Sequence, residues 1–514
     1  LSGESFADGV FGFGIDPMSI LAPYLIFSIG VSHAVQMTNV WKHEAVLGAD
    51  SLSAARTAFG KLLLPGSVAL LTNALGFLVI MHIKIDVVRE LGITASLGVL
   101  LMIVTNKLLL PILLSYTQID RDVLRRAQGK NSRFDFIWRG LARCAQPRAA
   151  LAVLFLSALL LAAGAWQARD MKTGDLGRGI PELREDSRYN RDNAAIVDHF
   201  SIGVDVLSVI VQTQQVQGAC TQFEIMDTID HFELYLRNVQ GVQSVLALPG
   251  MAKYINAGFN EGSLKWRALA RDSNVMAQAV TPVDTATGLL NTDCSAMQVM
   301  IFTRDHEGAT IAHIVSEIKR FAAANATPQL QFLLACSNVG VMAATNEAVD
   351  AADLTMLLSI FGAIMLLCLG TFRSWRAMLC IVVPLALVSV LCNAMMARLG
   401  IGLKVATLPV IALGVGVGVD YGIYLFERMQ HRMRDYGDSV HEAFYIALRQ
   451  RGTAAVFTAL TMSIGVASWT FSALKFQADM GLLLAFLFLV NMLGAVLLLP
   501  ALAAMLFGRT ERKI

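Results

Sequence analysis

An α-helical polytopic membrane protein, with about nine transmembrane helices, a parallel internal repeat and one α+β extracytoplasmic domain, is the fold class this sequence predicts. Three observations carry that reading. Apolar runs of bilayer-crossing length recur along the chain, which is 55% hydrophobic and 16% charged over 514 residues with a mean hydropathy of +0.57. One long internal stretch breaks the pattern and is mostly polar. A shift of 388 or 389 positions then superimposes Gly30 on Gly418, Asp50 and Ser51 on Asp438 and Ser439, Thr72 on Thr461, Gly76 on Gly465, Gly92 on Gly481 and Pro111 on Pro500.

Residues 1–116 read as the last three helices of a first membrane repeat, with runs at Ile20–Met37, Leu64–Met81 and Leu91–Tyr116. Residues 117–148 form a basic linker, in which Arg121, Arg125, Arg126, Lys130, Arg133, Arg139, Arg143 and Arg148 face only Asp120, Asp122 and Asp135. Positive loops stay inside, so the linker is expected in the cytoplasm. The same rule puts Arg373, Arg376, the stretch Arg428 to Arg451 and the tail 509–514 there, and counting spans outward from the linker agrees. Net charge is only +2, so nucleic acid is not an implied partner.

Residues 149–168, with the run Ala150–Trp166, open the second repeat. Residues 169–353 are the extracytoplasmic domain. Its β-rich runs at Val204–Val211, Val242–Leu248, Met297–Phe302 and Leu330–Leu334 alternate with helix-like stretches at Glu224–Asn238 and Ala309–Ala324, an alternation that predicts two small α+β subdomains. Residues Asn256–Leu290 carry no clear pattern. Residues 354–508 hold the other five spans of the second repeat, at Leu354–Phe372, Met378–Ala397, Val405–Phe426, Ala454–Phe471 and Met480–Phe507. Asp438–Arg451, with Val440, Phe444, Ala447 and Leu448 on one face, reads as an amphipathic helix on the inner surface, and Asp50–Phe59 as its first-copy counterpart.

The span Val405–Phe426 carries an acid at its centre, in Gly414-Val415-Gly416-Val417-Gly418-Val419-Asp420-Tyr421-Gly422. A carboxylate in hydrocarbon is costly and usually faces the bundle interior, where it serves protons, ions or substrates. At helical spacing Gly414, Gly418 and Gly422 share one face and allow close helix packing, while Gly416, Asp420 and Tyr424 share the neighbouring stripe. The offset places Ser32 and His33 where the second copy has Asp420 and Tyr421, so one acid stands where a symmetric repeat would have two. His33 titrates near neutrality in water and is the candidate partner of Asp420. Ser28, Ser32 and Gln36 recur on its helix, and Thr458, Thr461, Gly465 and Ser468 form a polar stripe that reads as packing first and proton path second. Lys107 lies within reach of the inner interface and is expected to snorkel rather than meet Asp420. A structural hydrogen bond is the alternative role for both Asp420 and His33.

These features resemble the MMPL-type exporters of the resistance–nodulation–division superfamily. The resemblance rests on Gly418-Val419-Asp420-Tyr421-Gly422, on Gly174-Asp175-Leu176 with Pro181-Glu182-Leu183-Arg184 and Ser187-Arg188-Tyr189-Asn190, and on Ile29-Gly30-Val31-Ser32-His33-Ala34-Val35-Gln36-Met37. It implies a porter-like outer domain, a membrane core similar to that of sterol-sensing-domain proteins, and proton-driven export of lipids or other hydrophobic molecules from the bacterial inner membrane. Asp420, Tyr421 and His33 would couple protons, and Ser32, Gln36, Thr458 and Thr461 would line the polar core. Implied partners are membrane lipids or hydrophobic cargo, protons, accessory proteins of the periplasm or outer membrane, and further copies of the chain. Against the family's twelve spans and two outer domains, the chain is expected to be N-terminally incomplete by roughly its first third. A non-transporting lipid-sensing or assembly protein on the same core is the alternative.

Enzymatic readings find no support in the sequence. It carries no phosphate-binding G-x-x-x-x-G-K-[ST] loop, nucleophile elbow or zinc motif. None of the seven cysteines is in C-x-x-C spacing, so neither a metal nor a cofactor is expected. Cys220, Cys294 and Cys336 fall in the outer domain, whose compartment permits a disulfide. Cys220 stands before the Glu224–Asn238 helix and Cys294 before the Met297–Phe302 strand, so these two are the candidate pair and Cys336 is left over.

Overall fold

The computed structural model describes Gly14, Met18 and residues 21–83, 85–117, 135–177, 179–214 and 216–508. Residues 118–134 of the basic linker and the tail 509–514 therefore lie outside the described residues. The chain divides into two units, Leu1–Met171 with Ala348–Ile514, and Lys172–Glu347.

The first unit is a bundle of long helices: α1 (Leu21–Val46), α2 (Ser51–Ile80), α3 (Asp86–Ser115) and α4 (Pro147–Ala168). Among the described residues eight helices, α1 not among them, are long and apolar enough to cross a membrane. At 26 residues α1 has the length, but the buried Ser32, His33 and Gln36 dilute its apolar character. This is the difference from the nine spans read in the sequence. Polar groups turned into a bundle cost less than polar groups facing lipid. Asp50 caps α2 by accepting a hydrogen bond from the Ser53 amide. Asp50–Phe59 is the opening of α2 itself, not a separate surface helix.

The second unit, residues 172–347, folds around one four-stranded antiparallel sheet. After α5 (Arg188–His199) come β1 (Val206–Thr213), α6 (Phe223–Arg237), β2 (Val242–Leu246), α7 (Leu248–Phe259), α8 (Ser273–Val280), β3 (Ala296–Thr303), α9 (Gly308–Asn325) and β4 (Leu330–Cys336). The strand order is β2-β3-β1-β4. Val209 sits opposite Val299 on one side and Leu334 on the other. This is the split βαβ arrangement of ferredoxin-like domains. One sheet replaces the two subdomains expected, because β1 pairs with both β3 and β4 and so joins the two βαβ halves. Alternate residues of β3 point inward, and Met297, Val299 and Ile301 meet Phe232, Leu236, Ile311 and Ile314 from α6 and α9. The patternless Asn256–Leu290 contains α8, whose Met276, Ala279 and Val280 join the same core. Cys220 and Cys294 form a disulfide beside it.

The bundle closes with α10 (Asn338–Phe372), α11 (Trp375–Leu399), α12 (Leu408–Asp435), α13 (Val440–Phe471) and α14 (Lys475–Phe507). The amphipathic stretch 438–451 continues into the span through a π turn at Leu448–Gly452, so in both copies this stretch opens the long helix rather than forming a separate one. The internal repeat has a structural echo in three places. π turns occur at Thr105–Leu109 and Gly494–Leu498, 389 positions apart. A Cβ on Gly92 would lie 2.8 Å from the Phe77 carbonyl, and one on Gly481 would lie 2.6 Å from the Val466 carbonyl. Thr72 and Thr461 each donate to the carbonyl four residues back, Val68 and Phe457.

Candidate functional site

The apolar window of α12 is wholly buried, against 11% for α4. Its glycines explain why. A Cβ on Gly414 would lie 2.3 Å from Leu487 Cδ1, one on Gly418 2.3 Å from Asn491 Nδ2, and one on Gly422 3.2 Å from Ile381 Cγ2. The glycine face thus lets α14 and α11 approach the α12 backbone, and Asn491 uses the space to donate to the Gly414 carbonyl at 2.8 Å.

The opposite stripe of α12 faces the first repeat. Asp420, 2% exposed, accepts a hydrogen bond on Oδ2 from Asn73 Nδ2 of α2 at 3.0 Å. His33 Nε2 of α1 lies 3.3 Å from the same oxygen, within charge-pairing range but outside hydrogen-bond geometry. His33 Nδ1 is 2.8 Å from the Tyr424 hydroxyl. Lys107 Nζ of α3 donates to that hydroxyl at 3.4 Å. An ammonium can only donate, so the Tyr424 oxygen accepts from Lys107 and its own proton goes to His33 Nδ1. The imidazole proton then sits on Nε2, facing the carboxylate. Asp420, His33, Tyr424 and Lys107 thus form a directed chain of four buried polar side chains drawn from both repeats.

Several atoms here lack a hydrogen-bond partner among the described residues: Asp420 Oδ1, His33 Nε2 and Asn73 Oδ1. A buried unsatisfied polar atom costs on the order of 1–3 kcal/mol. Three in one cluster mark a place where the fold gives up stability.

The structure brings Asp420 and His33 together, as the repeat offset implied, but rearranges their surroundings. Tyr421 is not beside the acid; its hydroxyl meets Met462 Sδ at 4.0 Å. Successive helical residues point about 100° apart, so Tyr421 leaves the face that Asp420 and Tyr424 share. Lys107 does not snorkel and is 0% exposed. The π turn at Thr105–Leu109 carries it, and Gly66 leaves room for its ammonium: a Cβ there would come within 2.2 Å of Nζ. Thr458 is buried but donates to its own helix at Ala455. Thr461 lies on the exposed side of α13, as do Gly465 and Ser468. Threonine and serine can tolerate that position by bonding backward to the helix backbone, as Thr461 and Ser468 do. Ser32 and Gln36 are buried on α1, but among the described residues Asp420 takes its contacts from Asn73 and His33.

Asn73, Tyr424 and Lys107 are the site residues that sequence reasoning missed or undervalued. Asn73 had a signal, a lone amide in the middle of an apolar span next to the repeat landmark Thr72. Tyr424 had another, its four-residue spacing from Asp420. On the far side of Tyr424, Arg451 donates to its carbonyl at 2.7 Å and pairs with Glu427 at 2.6 Å. No group of three or more metal-ligating side chains occurs among the described residues.

Comparison with known proteins places the chain. It is 30% identical over 178 residues to ActII-3 of Streptomyces coelicolor, described as a membrane protein, covering 33% of this chain and 24% of that one. A second S. coelicolor protein described the same way, SCO6666, is 34% identical over 97 residues, 19% of this chain and 14% of the relative. The match to MJ1562 of Methanocaldococcus jannaschii, also described as a membrane protein, is longer and weaker, 22% over 329 residues, 62% of this chain and 82% of the relative. The chain thus spans less than a quarter of the length of the two Streptomyces relatives. The MMPL family matches residues 202–513. With more than half its length covered by that match, and with its polytopic helical bundle and α+β domain, the chain belongs to the MMPL family, whose members are membrane proteins and generally transporters.

Proposed function

We propose that this protein exports lipids or other hydrophobic molecules across the bacterial inner membrane, driven by protons moving inward, with Asp420 as the coupling group. One observation carries the reading. Among the described residues Asp420 is the one acid buried in the bundle, and it meets His33 of α1 and Asn73 of α2, while Tyr424 on its own helix links His33 to Lys107 of α3. Protonation removes a charge at the seam between the repeats. It therefore changes how strongly Asp420 attracts His33 and Lys107, and so biases the two repeats between arrangements that differ there. Cargo is lipid or another hydrophobic molecule. Accessory proteins of the periplasm or outer membrane, and further copies of the chain, are the protein partners proposed.

A non-transporting lipid-sensing or assembly role draws on a different observation, Ser32 in the place where a second acid would face Asp420. The two readings part in one experiment. Inverted membrane vesicles carrying the protein are energised by an imposed pH gradient, and lipids delivered to the vesicle interior are scored by mass spectrometry. Gradient-dependent delivery that vanishes in Asp420→Asn at matched protein levels supports export. Delivery that is equal in Asp420→Asn removes it.

A further inference from the structure

A cavity of about 500 Å³ opens at the arginine-rich end of the bundle, cytoplasmic on the charge reading. Both repeats line it: His43 and Glu44 of α1, Lys61 and Pro65 of α2, and Glu427, Arg428 and His431 of α12, with Arg451 from the π turn of α13. Most of these charges are matched locally. Lys61 pairs with Glu44 at 2.6 Å, Arg428 donates to Gln450, and His431 lies 3.3 Å from Asp435. Glu427 is different in position: Asp420, Tyr424 and Glu427 follow one another at four and three residues along one stripe of α12, so Glu427 stands two turns, about 10 Å, from Asp420. Its Oε2 is 2.6 Å from Arg451 but in no hydrogen bond among the described residues.

The partition between this cavity and the buried chain is thin. Pro65 lines the cavity. The next residue, Gly66, has no side chain, and a Cβ there would lie 2.2 Å from Lys107 Nζ and 2.9 Å from the Tyr424 hydroxyl. Gly66, next in the chain to the cavity-lining Pro65, thus stands directly against Lys107 and Tyr424. Arg451 lines the cavity and also donates to the Tyr424 carbonyl at 2.7 Å, which fixes the cavity's floor to the relay helix.

We infer that this cavity is the port through which the Asp420 proton leaves, with Glu427 as the group that receives it. The inference rests on the coupling role proposed for Asp420 and adds the route. While Lys107 is a neutral amine, Tyr424 donates to it and His33 carries its proton on Nδ1, the reverse of the arrangement described with the ammonium; the Asp420 carboxylic acid then gives its proton to the bare His33 Nε2. His33 passes the proton of Nδ1 to Tyr424, and Tyr424 passes its own to the Lys107 amine. Lys107 releases one proton past Gly66 through cavity water to the Glu427 carboxylate, which returns it to bulk water. One proton leaves Asp420 and one reaches the cavity; His33, Tyr424, Lys107 and Glu427 each gain one and lose one. The charged groups facing Glu427 are Arg451 and Arg428, with Lys61, Glu44, His43 and His431 across the cavity. Arg451 holds the carboxylate ready and gives up part of that pairing each time Glu427 is protonated.

Inverted vesicles, with the cavity side outward, test the route without knowledge of the cargo. A pH jump is applied outside and followed by short pulses of dicyclohexylcarbodiimide, which modifies protonated buried carboxyl groups; the Asp420 peptide is quantified by mass spectrometry. In the unaltered protein, modification of Asp420 follows the outside pH. Glu427→Gln should slow that response by roughly a hundredfold, at the low end of what a placed acid–base group contributes. The final extent of modification stays the same, and Glu427→Asp restores most of the rate. A response as fast in Glu427→Gln as in the unaltered protein overturns the port alone. Modification of Asp420 that ignores pH altogether overturns the coupling role and the port with it.

Discussion

Gly418→Ala should be among the most damaging conservative changes in the bundle. Its new Cβ would lie 2.3 Å from Asn491 Nδ2 and 2.4 Å from Asn491 Cγ, closer than side-chain carbons approach. Asn491 is short and is tied to the Gly414 carbonyl at 2.8 Å, so it cannot swing clear without breaking that bond. The buried amide then loses its acceptor, a cost of about 1–3 kcal/mol. Overpacking of the α12–α14 contact adds about 1–3 kcal/mol, and the sum is roughly 2–6 kcal/mol. Gly465→Ala is the matched control, because a Cβ there meets no atom within 4 Å. It should leave stability unchanged or raise it by up to about 1 kcal/mol through helix propensity. Unfolding in mixed micelles, titrated with sodium dodecyl sulfate and followed by tryptophan fluorescence, reads both. Equal midpoints for the two variants would mean that α14 does not pack on α12 through Gly418.

Gly66→Ala should cost both function and stability. Its Cβ would lie 2.2 Å from Lys107 Nζ and 2.9 Å from the Tyr424 hydroxyl, so the buried ammonium leaves Tyr424, the unfolding free energy falls by about 1–3 kcal/mol and gradient-driven lipid delivery in inverted vesicles is lost. In the α+β domain, buried His306 lies 3.1 Å from Asp205. Burial pulls its pKa down, but the hydrogen bond and charge of Asp205, with Asp175 and Asp305 nearby, outweigh burial and raise it above 6.5. A raised histidine pKa contributes stability that is fully present below the unfolded value and is lost as pH rises through the folded one. Hydrogen exchange of the domain's amides in the whole chain should therefore show protection that weakens above pH 6.5, and His306→Gln should flatten that dependence; the same slope in both would refute the pairing. Breaking the Cys220–Cys294 bridge, which closes a loop of 74 residues, should lower the domain's stability by up to about 4 kcal/mol on the chain-entropy account. Non-reducing peptide mapping should recover the pair.

What could be read from the sequence follows from how strongly each feature is forced. A bilayer demands long apolar helices, so α2, α3, α4 and α10 to α14 were legible as runs; α1 was legible too, although its buried polar residues weaken its signal. The repeat offset pointed to the pairing of Asp420 with His33, because it placed His33 next to Ser32, the residue that corresponds to Asp420. Strand order was harder. Nothing local tells β1 to pair with both β3 and β4, and the contact that joins the halves spans more than a hundred residues between β1 and β4. Lys107 was misjudged because its direction depends on the π turn beneath it and on the room left by Gly66, neither of which is visible in hydropathy. Tyr421 drew attention as the neighbour of Asp420 in sequence, whereas helix geometry gives that place to Tyr424.

The central claim is that Asp420 takes up and releases a proton inside the bundle, through His33 and Tyr424. Infrared difference spectroscopy of the protein in vesicles, stepped between acid and alkaline pH, observes that carboxyl group directly. The account predicts a carboxylic-acid C=O band that grows as pH falls, is missing in Asp420→Asn, shifts in Tyr424→Phe and is unchanged in Tyr421→Phe. An identical band in Asp420→Asn would contradict it.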